Sequence, residues 1–102
     1  MSSKRIELHN VLVEILGYPH VYFQPPNTVN MQYPCIVYAR NAIETKHAND
    51  LPYNNRTSYS VTVIDSNPDS DFPIKISNLP LCKFERHYTA DNLNHDVFNI
   101  YY

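Results

Sequence analysis

Apolar residues recur at Leu8, Val11, Leu12, Ile15 and Leu16, the i, i+3, i+4, i+7, i+8 spacing of one helix face. The pattern predicts a helix over about 3–16, with Ser2 or Ser3 able to cap its start. Gly17 stands where a left-handed residue ends a helix, and Tyr18-Pro19 forbids continuation. Downstream the period changes. His20–Phe23 is a short β-type run closed by Gln24-Pro25-Pro26, and Tyr33–Arg40 is an apolar run of strand length. Tyr59, Val61 and Val63 alternate with Ser60, Thr62 and Ile64, as a strand with one more apolar face requires.

Between those last two runs, Asn41–Thr57 is rich in Asn, Pro and charge. It predicts a long hairpin with strands over about 33–46 and 56–65, and a mobile tip near Ala48–Asn55. A short helix is expected over about 70–79, capped by Asp69 or Ser70, with Pro73 in its first turn and Pro80 after its end. Strands follow over about 82–88 and 96–102, joined by a turn from Thr89 to His95. The order α, β, β, β, α, β, β reads as an α+β fold of two layers. The sheet is expected to be mostly antiparallel, with the N-terminal helix and the second short helix on one face.

Composition narrows function mainly by exclusion. A chain of 102 residues fits one domain, and 43% hydrophobic with 18% charged residues suits a packed core. No apolar run reaches the roughly 18 residues of a membrane span. The formal net charge of −2 leaves no electrostatic footprint for nucleic acid or an anionic membrane. The single glycine rules out the Walker loop, the dinucleotide fingerprint and the G-x-S-x-G elbow, each of which needs several. Nine tyrosines suit half-buried sheet faces and protein interfaces.

Three groups offer candidate chemistry. His87, Asp91, His95 and Asp96, with Glu85 nearby, are the residue types that ligate zinc or iron. Their spacing matches no helical metal motif, and Asp91-Asn92 are good turn residues, so a turn on an exposed edge is the simpler reading. Cys35 and Cys82 are too far apart for a C-x-x-C pair, and Cys35 sits inside an apolar strand, where a thiol behaves as a small hydrophobe. Lys46, His47 and Arg56 supply a modest basic rim on the hairpin. The residues therefore predict no enzyme, no catalytic or metal site and no cofactor.

Taken in order, several segments carry a resemblance: an N-terminal helix ending in G-Y-P, V-Y-F-Q-P-P (Val21–Pro26), Y-P-C-I-V-Y (Tyr33–Tyr38), Y-S-V-T-V-I-D (Tyr59–Asp65), P-D-S (Pro68–Ser70) and Y-T-A-D-N-L-N-H-D (Tyr88–Asp96). Over nearly its whole length the chain resembles the small tail-completion, or tail terminator, proteins of long-tailed phages and prophages of Gram-positive hosts. The resemblance implies a structural virion protein made in the host cytoplasm. It would self-associate into a ring, six-membered in such proteins, that caps the tail tube and joins the head connector. DNA would pass through the ring without specific recognition. The family brings no catalytic residues. Candidate subunit or tube contacts are Lys46, His47, Leu51, Tyr53, Asn55 and Arg56 on the hairpin and Tyr101 and Tyr102 at the sheet end. The alternatives are a head-side connector or stopper of the neck, and a small metal-dependent hydrolase using His87, Asp91, His95 and Asp96.

Overall fold

The structure is a computed structural model that describes residues 4–26, 30–48 and 51–102, with the backbone alone described over 44–48 and 51–56. Helix α1 spans Lys4–Leu16 and α2 spans Phe72–Ser77. The strands are β1 (Val21–Phe23), β2 (Cys35–Ala48), β3 (Leu51–Asp65), β4 (Cys82–Ala90) and β5 (Leu93–Tyr101). They form one sheet in the order β1-β2-β3-β5-β4, antiparallel throughout except for the parallel β1–β2 pair. The fold is α+β: a mostly antiparallel sheet with both helices on one face.

That face is built by alternation. Ile36 and Tyr38 of β2 lie beside Val63 and Val61 of β3, and Val61 and Tyr59 lie beside Phe98 and Ile100 of β5. Leu8, Leu12 and Leu16 of α1 and Ile76 of α2 close over them in one buried cluster, which Val21 of β1 joins. The helix stripe is narrower than the spacing suggests. Leu8, Leu12 and Leu16 are buried, while Val11 and Ile15 are half-buried, and Val13 packs on the cluster from the flank. Gly17 ends α1 as expected, with a φ of 77° and its N–H bonded to Val13 O at 2.9 Å. The cap residues Ser2 and Ser3 lie outside the described residues.

Three boundaries differ from expectation, each for a local reason. The β4–β5 turn is only Asp91-Asn92, not Thr89–His95: both take positive φ, 53° and 62°, which closes a two-residue hairpin whose twist matches the strands. Helix α2 begins later, with Asp71 at its N-cap and no side-chain cap bond, while Ser70 Oγ accepts the Phe72 N–H at 3.3 Å. The strands of the long hairpin run on to Ala48 and start again at Leu51, so most of the expected tip, Ala48–Asn55, is paired backbone. The backbone ladders there because N–H and C=O groups find their partners across the pair.

Leu12 is fully buried at the centre of the α1 contact. Leu12→Ala should cost about 2–5 kcal/mol, the usual range for a buried leucine, and lower the thermal midpoint accordingly. Val11→Ala should cost clearly less. Thermal denaturation followed by circular dichroism compares the two, and equal losses would contradict the observed helix face.

Candidate functional site

β2 and β3 outrun their neighbours. β1 stops with Phe23 beside Tyr38, and β5 stops with Tyr101 beside Ser58. Beyond those points β2 and β3 pair only with each other among the described residues, from Ile43–Thr57 to Ala48–Leu51. At about 3.4 Å per residue this two-stranded arm projects roughly 20 Å from the sheet. It accounts for the long axis of the molecule, whose extents are 51 × 26 × 24 Å.

The base of the arm is fastened by polar contacts. The register slips past Asn41 between Arg40 and Ala42, and Asn41 Nδ2 donates to Asn99 Oδ1 at 3.2 Å. Ser58, the one buried polar residue among those described, donates from Oγ to Ala42 O at 3.4 Å. The Tyr102 N–H bonds Thr57 O at 3.1 Å, and the Tyr101 N–H bonds Leu81 O at 3.2 Å. Tyr101 is half-buried and Tyr102 exposed, so these two candidate contacts sit at the foot of the arm and not at a remote end of the sheet. Lys46, His47, Leu51, Tyr53, Asn55 and Arg56 all fall on the arm backbone. The register passes over Tyr53, stepping from Lys46–Asn54 to His47–Pro52. The side chains of these six lie outside the described residues.

The His/Asp quartet does not converge. His87 and Asp96 are directly opposite on β4 and β5, with His87 Nδ1 2.9 Å from Asp96 Oδ1. His95 points to the other face of β5, where its ring stacks on Tyr88 at 4.6 Å, and Asp91 lies in the hairpin turn. The period-two geometry of a strand separates neighbours that look clustered in sequence. Among the described residues no three His, Cys, Asp or Glu side chains are placed to share a metal ion. Burial pushes the Cys35 thiol up to about 11 and raises that of Cys82 as well, which keeps both protonated at neutral pH.

Two features were invisible in the sequence. The first joins α1 to the sheet: Tyr38 is buried, and its hydroxyl meets Arg5 Nη1 at 3.1 Å and His9 Nδ1 at 2.8 Å, while the Arg5 guanidinium lies 4.5 Å from the Phe23 ring centre. Burial, and secondarily the Arg5 charge, hold the His9 imidazole below its ordinary pKa. The second is an apolar border along β4. Ile74 is 66% exposed, Leu81 60% and Phe84 49%, although Phe84 also packs edge-on against Phe98 at 5.4 Å. A register shift between Phe84 and Arg86 puts Arg86 and Tyr88 on the opposite face from Phe84. Simple alternation could not reveal that bulge.

No protein-family model matches the sequence, and no curated protein matches it. The geometry therefore has to carry the functional argument. It offers a projecting arm and an exposed, partly apolar sheet border.

The Tyr38 cluster generates a pH test. The unfolded chain binds a proton at His9 more readily than the folded one, because the folded pKa is lowered from 6.5. The stability contributed by neutral His9 is therefore complete above pH 6.5 and is lost as pH falls below it. The melting-temperature advantage of the native chain over His9→Gln should shrink between pH 7.5 and pH 5, as thermal melts across that range would measure. Tyr38→Phe, which removes the shared hydroxyl, should cost about 1 kcal/mol at neutral pH.

Proposed function

We propose that this chain is a structural subunit of a phage tail, a terminator or completion protein that closes as a ring on the tail tube and forms the joint to the head. The observation that carries the reading is the arm: a long two-stranded ladder held at its foot by Asn41, Ser58 and Tyr102, with no further strand on either outer edge among the described residues. Two-stranded ladders are marginal by themselves in water, so an arm of this length is best explained by a surface it meets during assembly.

A ring closes when each subunit presents two different patches to its neighbours, one on each side. The arm and the body of the sheet supply two such patches. The many tyrosines contribute apolar contact with a polar tip, as interfaces favour. The division of His87, Asp91, His95 and Asp96 between two faces and a turn weakens the hydrolase reading. Among the described residues no helix is long and apolar enough to cross a membrane. The partners of this reading are further copies of the chain, the tail tube protein and the head connector, and its location is the virion.

Electron microscopy of tails assembled without the protein tests the proposal. Tails of uncontrolled length that fail to join filled heads are the expected result, restored by adding the protein. Normal tails that join heads would overturn it, and normal-length tails beside filled heads that cannot bind them would place the protein on the head side. Replacing residues 46–54 by an Asn-Gly turn, which joins the facing positions Thr45 and Asn55, should leave the fold intact and abolish this rescue.

A further inference from the structure

β4 is the outermost strand of the sheet on the β5 side, pairs only with β5 among the described residues, and is exposed over almost its whole length of 9 residues. Its outer N–H and C=O groups are a template for an added strand. Lys83, Glu85 and Arg86 and the bulge at Glu85 are devices that keep such edges from pairing indiscriminately. An apolar border nevertheless runs beside this edge: Ile74 of α2, Leu81 in the approach to β4, and Phe84 within it. Leu81 holds a φ of 57°, a conformation that costs a branched apolar residue energy and keeps its side chain at the surface.

The chain carries a matching donor. From Leu51 to Arg56 the outer edge of β3 has no partner among the described residues, because β5 ends opposite Ser58 and the last outward bond, from the Tyr102 N–H, goes to Thr57 O. That stretch is long enough to cover the regular part of β4 from Arg86 to Ala90. Within one molecule the two cannot meet, because the arm continues the central strands away from the sheet while β4 forms its lateral border. We infer that the arm of one copy adds as a strand to the β4 edge of the next, where the edge is bordered by Phe84, Leu81 and Ile74.

The contact joins two unlike patches, so each copy keeps one free arm and one free edge, as a ring demands. The inference deepens the ring reading and depends on it only for self-association. An arm laid on β4 joins its two strands to β4 and β5 in a ladder of four, beyond the three strands a sheet needs to hold by itself.

The test is a complementation experiment with two full-length variants, each checked for native circular dichroism. One lacks the arm, with 46–54 replaced by Asn-Gly. The other keeps the arm but carries Ile74→Glu, Leu81→Asn and Phe84→Lys, and a milder version without Phe84→Lys preserves the contact with Phe98. The native chain should self-associate at concentrations up to about 1 mM, and each variant alone should do so more than about tenfold more weakly. Mixed, the two should form a one-to-one heterodimer that grows no further, seen by analytical ultracentrifugation.

An arm-less chain that still dimerises would mean that edge meets edge, and an edge variant that associates like the native chain would mean that the arm docks elsewhere. A mixture without heterodimer, or a native chain monomeric throughout, would likewise overturn the inference. Normal tails made without the protein, alongside successful complementation, would remove the tail assignment and leave the contact standing.

Discussion

The pairing of β2 with β3 is the contact on which the rest of the sheet depends. Strands of 14 and 15 residues lie antiparallel over nearly their whole length, and every other strand is ordered by reference to them. β1 adds to the outer side of β2 and β5 to the outer side of β3, but each covers only one end of the ladder. The same two strands therefore belong to a packed core at one end and stand clear of it at the other.

What separates the two halves is the side-chain pattern. Where Ile36, Tyr38, Tyr59, Val61 and Val63 share a face, α1 and α2 have something to bury and the ladder becomes the floor of a core. Past Arg40, Ile43 is left exposed. Hydrogen bonds across the ladder persist there, yet they contribute modestly when water competes for the same groups. Stability is thus expected to fall from the core toward the arm, and association is the natural way to recover it.

The sequence made the helix and the paired core legible for the same reason: burial imposes a period, and Leu8-Leu12-Leu16 and Tyr59-Val61-Val63 display it. It concealed whatever depends on backbone detail. The positive φ of Asp91 and Asn92 shortened a turn and lengthened two strands, and the bulge at Glu85 moved Tyr88 and Arg86 across the sheet. Alternation along β5 divided His95 from Asp96, so the densest polar cluster in the sequence is dispersed in space. The Arg5–Tyr38–His9 contact spans elements far apart along the chain, and no local pattern announces it. Likewise the border of Ile74, Leu81 and Phe84 emerges only once α2 and β4 lie side by side.

An arm that gains its stability from a neighbour should reveal itself in amide hydrogen exchange, residue by residue, in the dispersed and the associated protein. The account predicts that amides of 43–48 and 51–57 exchange far faster than those of Tyr59–Ile64 in dilute solution. On association the arm should gain protection together with β4 between Arg86 and Ala90. Protection of the arm that equals the core in the lone chain, or that is unchanged on association, would contradict it.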